Sequence, residues 1–353
     1  MNALLDTTLE HLRWLVAHDS TNPPRKPTAL VERLASTLRE RGLAVSVTDH
    51  GEGSMSVLAT RGSTRTLLTA HVDTVPVAPA WTRKPFELVV EGDRAFGLGA
   101  CDVKGGAAAM MAAAFASDGP CALLFTTDEE AGKATCMRGF TKERPPYDLA
   151  IVAEPTRAKA VLAHRGVATG ILRFEGRAGH SSQKGSSSAV HGLACWMNAA
   201  LARAEALEGE SKDGLSGVRF NIGKVEGGEK PNVVAARAEA RFGLRPPPHL
   251  DPKHTLASFA ALAPEASYEA AFDGPSLAAS PVAKASCERL GIAMGEPVDF
   301  WTEASLLAAA GVPSMVLGPG DIAQAHGPDE WVLLAELASA AKVYLDVING
   351  GVS

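Results

Sequence analysis

Four short apolar runs in this chain lead into side chains that can bind a metal ion. TLLTA runs into His71, CALLFTTD into Glu129 and Glu130, and DLAIVA into Glu154, while His326 lies shortly after SMVLGPG. Apolar runs of this length, without alternation, read as strands buried on both faces, the condition of a parallel sheet covered by helices. The Gly-rich turn GLGACDVKGG adds Asp102, just before a helix. In open α/β sheets the carboxyl ends of the strands form the ligand crevice. The pattern therefore constrains both the architecture and the place of a site. Imidazoles and carboxylates gathered at one sheet edge suit Zn2+ or a similar divalent ion.

Helix and strand patterns alternate from residue 1 to about 165. MNALLDTTLEHLRWLV carries Leu4, Leu5, Leu9, Leu12, Leu15 and Val16 near one helical face. Asp6 and Glu10 between them fit a packed amphipathic helix and not a signal peptide. A helix over about 28–41 stops at Gly42, a C-cap. Strands follow at about 43–49, 54–60 and 66–71, then a hairpin turning at Glu91-Gly92-Asp93. An Ala-rich helix over about 103–116 and strands at about 121–127 and 148–153 complete this section.

The texture changes near Arg165. GVATGILRFEGRAG reads as a strand, followed by a helix over about 189–207 and strands at about 217–224 and 233–244. A helix near 252–262 and a strand near 267–272 follow. This β-α-β-β-α-β order is that of a ferredoxin-like unit. From about Pro281 the first texture returns, with a helix, the strand SMVLG and a long helix over about 329–347. The expectation is an α/β fold, a mainly parallel sheet with helices on both faces, with an inserted ferredoxin-like α+β domain. Residues 1–165 and 276–353 would form the larger domain and 166–275 the insert.

The 353 residues are 46% hydrophobic and carry a net charge of -6, with acidic and basic residues interspersed. That balance argues against nucleic acid or an anionic membrane surface as the main partner. The longest apolar stretch, Gly105 to Ser117, is too short to span a bilayer. Cys101, Cys121, Cys136, Cys195 and Cys287 are scattered and form no CxxC pair, which suits a reducing cytoplasm. Cys101 adjoins Asp102, yet reads as a buried apolar thiol before it reads as a ligand.

Each candidate ligand also has a plain structural reading. His71 alone is an ordinary histidine; HVDT, however, places Asp73 where its carboxylate can accept the imidazole N–H and fix the tautomer. Asp102 can cap the helix that follows it, and Glu129-Glu130 can be a solvated acidic turn. Neighbouring carboxylates at a strand end point in different directions, so one can bind a metal while the other faces a substrate. A hydrolase needs that division: a metal to lower the pKa of water and a carboxylate to take its proton. A carboxylate such as Asp102 can also bridge two metals.

HVDTV, GLGACDVKGG, TTDEEAG, AEPT and AHGPDE, in this order, resemble the zinc-dependent aminoacylase/carboxypeptidase family, which includes acetylornithine deacetylase, succinyl-diaminopimelate desuccinylase and related peptidases. The resemblance spans essentially the whole chain, insert included, and departs mildly at Val103, where the family often has Met. It implies a zinc-exopeptidase-like fold holding two divalent ions, Zn2+ or Co2+. Asp102 would bridge them, His71 and Glu154 would complete one position, and Glu130 and His326 the other. Glu129 would be the general base.

The resemblance also assigns residues of the insert. His180, in GRAGHSS, would reach a neighbouring subunit's active site and stabilise the tetrahedral oxyanion, which makes the insert a lid and dimerisation domain of a homodimer. Asn232 would lie near the reacting carbonyl and Arg245 at the substrate α-carboxylate, for which a planar guanidinium is suited. From sequence alone His180 is a surface-loop histidine, Asn232 a turn residue and Arg245 an exposed strand end. WTEASLL and GPGDIAQAH look most like the acetylornithine and acetylcitrulline deacetylase branch. Glu303 in the first segment could attract an ornithine side chain, hydrogen-bond a citrulline ureido group, or brace the metal loop. The implied substrate is a small N-acyl amino acid of arginine biosynthesis. Dipeptidase and desuccinylase activities, or a non-catalytic metal-binding scaffold, are the alternatives.

Overall fold

A computed structural model describes residues 3–23, 27–209 and 211–350. The chain divides into two units: residues 1–162, 279–296 and 302–353 form the first, and 163–278 with 297–301 the second.

The first unit is built on a six-stranded sheet. From edge to edge its strands are Ala44–Gly51, Ser54–Arg61, Cys121–Thr126, Thr66–His71, Leu149–Val152 and Ser314–Val316. The last four run parallel, and the first two form an antiparallel hairpin on one side. Every residue of Thr66–His71, Cys121–Thr126 and Leu149–Val152 is buried. Successive side chains of a strand point to opposite faces, so both faces are covered. The helix Lys104–Phe115 packs between Ala3–Ala17 and Leu334–Asn349 and on Thr66–His71. Its Gly and Ala side chains permit the close approach: a Cβ at Gly106 would stand 2.7 Å from the Cβ of Ala153.

The helix Thr28–Glu40 buries Leu30, Val31, Leu34, Ala35 and Leu38. It ends where Gly42 takes a φ of +78° and Leu43 N–H donates to the Leu38 carbonyl. The C-terminal helix begins at Leu334 and not near 329, because Trp331–Leu333 pairs with Arg94–Phe96 as a third strand beside the hairpin over 89–96.

The second unit is a four-stranded antiparallel sheet in the order Arg219–Gly227, Arg237–Arg245, Val167–Glu175, Ser267–Gly274. With helices Ala189–Ala206 and Pro252–Ala260 it has the ferredoxin-like arrangement. Burial alternates along Arg237–Arg245, so one face packs on the helices around Trp196, Phe242 and Phe259. The strand expected over 233–244 is two strands: Val233–Val234 pairs with Gly179–His180, and Arg237–Arg245 enters the main sheet. Residues 297–301 join this unit through the pairing of Asp299 with Arg165 and of Trp301 with Phe272.

Candidate metal centre

Parallel strands that stop at one level bring residues far apart in sequence to one edge. His71 ends its strand, Glu129 and Glu130 follow Cys121–Thr126, and Glu154 follows Leu149–Val152. His71 Nε2 lies 3.2 Å from Asp102 Oδ1 and 3.9 Å from Glu154 Oε1. His326 Nε2 lies 3.3 Å from the other Asp102 oxygen, Oδ2, and 3.2 Å from Glu130 Oε1. Asp102 therefore has one oxygen toward each imidazole. Among the described residues, ligand-type atoms gather in three trios, each within 4.8 Å: His71, Asp102 and Glu154; Asp102, Glu130 and His326; and His71, Glu129 and Glu130.

The capping role open to Asp102 is not used. Val103 precedes the helix Lys104–Phe115, and no side chain caps it. His71 Nδ1–H donates to the Asp73 main-chain carbonyl at 3.1 Å, and the Asp73 carboxylate oxygen Oδ1 stands farther off, at 3.5 Å. Either partner holds a proton on Nδ1, so Nε2, which faces Asp102, is the nitrogen a metal ion would take. Asp73 Oδ2 instead accepts from Glu130 N–H at 3.1 Å and from Asn22 Nδ2 at 3.2 Å, tying the two strand ends together.

Burial pushes the Glu129 and Glu154 carboxyls well above their usual range, and neighbouring carboxylates add to it. Burial raises Glu130 as well, against the pull of His326. Burial acts to raise Asp102 too, but hydrogen bonds from His326 and His71 outweigh it and leave it lowered. The same contacts with Asp102 and Glu130 push His326 up to about 11. Four carboxylates this close demand positive charge. Two imidazoles with Nε2 turned toward these carboxylates, and the hard oxygen donors themselves, fit a divalent ion by donor chemistry.

Glu303 is 1% exposed, and its Oε2 accepts from Thr126 Oγ1 at 2.9 Å. Burial pushes it up to about 8. It is thus braced against the strand end that carries Glu129 and Glu130. In the second unit, His180 and Asn232 come together although distant in sequence: His180 pairs with Val233, and Ser181 N–H donates to the Asn232 carbonyl. The His180 side chain is exposed, with Ser182 Oγ 2.7 Å from Nδ1. Arg245 ends its strand at a cavity of about 480 Å3, which Arg219 and Arg241 also line.

Other participants escape a reading of sequence. Asn22 ties Asp73 to the Thr127 carbonyl. Asp128 accepts from Thr135 N–H at 2.6 Å and from Cys136 N–H, closing the loop that starts with Glu129. Glu330 accepts from three main-chain N–H groups around Asp102. Asp128 and Glu330 lie inside TTDEEAG and AHGPDE, but nothing in those segments marks what they hold.

Comparison with known proteins shows the family. The family described as Peptidase family M20/M25/M40 matches residues 67–350. The chain belongs to that family. Among M20 relatives, it is 46% identical to N-acetyl-L-citrulline deacetylase of Xanthomonas campestris pv. campestris, over 99% of this chain and 100% of that protein. It is 32% identical to acetylornithine deacetylase of Proteus mirabilis, over 95% of this chain and 94% of that protein. The fold is shared with a tripeptidase from Staphylococcus aureus, which superposes with a TM-score of 0.78 at 22% identity, covering 98% of this chain and 97% of the other.

Proposed function

We propose that the chain is a metal-dependent deacetylase that hydrolyses the amide of N-acetyl-L-citrulline or N-acetyl-L-ornithine, releasing acetate and the free amino acid for arginine biosynthesis. The observation that carries the chemistry is Asp102, with one oxygen toward each of two imidazoles and Glu129 beside them. The substrate follows from whole-length similarity to the citrulline enzyme.

In this reading His71, Asp102 and Glu154 hold one ion, and Asp102, Glu130 and His326 the other. Bound there, zinc or cobalt ions supply Lewis acidity toward the acetyl carbonyl and lower the pKa of water. Glu129 takes the proton of the attacking water as the C–O bond forms. It returns that proton to the amide nitrogen as the C–N bond breaks. Burial holds its carboxyl high, the direction that makes a carboxylate a better proton acceptor. Asp73 keeps the His71 tautomer fixed through Nδ1 and aligns the Glu130 main chain. His180 and Asn232 are assigned to the oxyanion and the reacting carbonyl, Arg245 to the substrate carboxylate, and Glu303 to bracing the site where the side chain of the substrate is sorted. The protein acts as a cytoplasmic homodimer on a small molecule, with neither nucleic acid nor a membrane as partner. Among the described residues no helix is long and apolar enough to cross a membrane.

The test is a substrate panel on one sample of measured metal content: N-acetyl-L-citrulline, N-acetyl-L-ornithine, N-succinyl-diaminopimelate and dipeptides. Acetate release should dominate, with acetylcitrulline ahead of acetylornithine. Dominant dipeptide cleavage or desuccinylation would overturn the substrate assignment, and an inert, metal-loaded sample would overturn the enzyme reading.

A further inference from the structure

The main-chain N–H groups of the turn that delivers Asp102 can be traced one by one. Gly97 N–H donates to the Glu330 carbonyl at 3.0 Å, Leu98 N–H to Pro85, and Ala100 N–H to Gly97. The other three converge on one side chain. Gly99 N–H donates to Glu330 Oε2 at 2.9 Å, and Cys101 and Asp102 N–H donate to Glu330 Oε1 at 2.8 and 2.9 Å. Four of six donors thus end on a single residue more than two hundred positions away in the chain.

Glu330 is 2% exposed and Cys101 0%, so these N–H groups are buried and need an acceptor within the protein. The turn is also packed tightly. A Cβ at Gly99 would stand 2.6 Å from Thr74 Cγ2, and one at Gly105 2.3 Å from the Ala100 carbonyl oxygen. The turn has little slack with which to replace a lost anchor. Among the described residues the Asp102 carboxylate pairs with the two imidazoles alone, so its aim is set by its main chain.

We propose that Glu330 is a positioning residue of the metal centre. Its carboxylate fixes the main chain at Asp102 and thereby places the shared ligand for both cations at once, with its own oxygens committed to N–H groups. Outer partners of metal ligands commonly control affinity in this way. The proposal rests on the two-cation reading. It separates Glu330 from Glu154 and His326, each of which serves one position.

The test measures Zn2+ binding to the full chain by competition with a chromophoric chelator, at a temperature where circular dichroism shows each variant folded. Wild type should bind two ions. In Glu330→Gln the amide NH2 must face at least one of the three N–H donors, and both affinities should fall about 10–100-fold together. Glu330→Asp keeps the charge but shortens the reach; it should also weaken both positions, and it carries the test if the Gln variant does not fold. Asp329→Asn is the control. Asp329 pins Thr82 and Arg83 N–H instead, and its loss should leave both affinities as in wild type.

A merely structural Glu330 would lower the melting temperature of the metal-free chain and leave both affinities within about twofold, which overturns the proposal. Loss at one position alone overturns it equally. Wild type binding fewer than two ions would defeat the two-cation reading itself and take this inference with it.

Discussion

Asp102 shows at the scale of one residue how the site is divided. Its two oxygens face His71 and His326 separately, so removing it acts on two of the three trios, whereas removing His326 acts on one. Asp102→Ala should fall from two bound zinc ions to none and His326→Ala to one, read as metal per folded chain by elemental analysis after dialysis. An Asp102→Ala protein that keeps both ions would refute the shared carboxylate. His71, Glu129, Glu130 and Glu154 stood out in the sequence because several ionisable groups follow buried apolar runs together, although each alone has a plain structural reading. Glu330 and Asn22 were not legible. Their partners are the main chain or a side chain of remote segments, and such contacts leave no local pattern. Asp73 was legible as an outer partner, but its main-chain carbonyl, which every residue carries, makes the closer contact with His71.

Among elements, the helix Lys104–Phe115 bears most directly on the site, because it starts beside Asp102 and lies against the strand end before Glu154. Replacing a mid-helix Gly by Ala ordinarily gains about 0.5–1 kcal/mol. At Gly106 the new Cβ would stand 2.7 Å from that of Ala153, and overpacking costs about 1–3 kcal/mol. The second effect is the larger, so Gly106→Ala should lower the urea midpoint; a raised midpoint would contradict the close helix–sheet contact. The periodic helices and the fully apolar strands could be read from sequence because burial imposes their pattern. Partner changes could not. Val233–Val234 and Arg237–Arg245 read as one strand, yet the first pairs with Gly179–His180 and the second with Val167–Glu175. Trp331–Leu333 looked like the start of the last helix until Arg94–Phe96 claimed it as a strand.

For the whole molecule, the two units answer to different physics. The second has a buried histidine that is not among the proposed ligands. His164 is 0% exposed, its Nδ1–H donates to the Arg165 carbonyl at 2.8 Å, and burial lowers its pKa from 6.5 to about 4. The unfolded chain therefore binds more protons between those values. The stability associated with the neutral ring is complete above pH 6.5 and is lost as the pH falls toward 4, roughly 3 kcal/mol in all. Urea midpoints should drop over that window in wild type, and the drop should shrink in His164→Asn, which keeps a donor but does not titrate; an equal drop in both would remove His164 as the cause. In the first unit the decisive group is Glu129, the carboxylate that turns a pair of cation positions into a hydrolytic site. The most direct measurement is acetate release from N-acetyl-L-citrulline by Glu129→Gln carrying the same metal content as wild type. The rate should fall about 10²–10⁴-fold. A metal-replete Glu129→Gln enzyme within about tenfold of wild type would contradict the account.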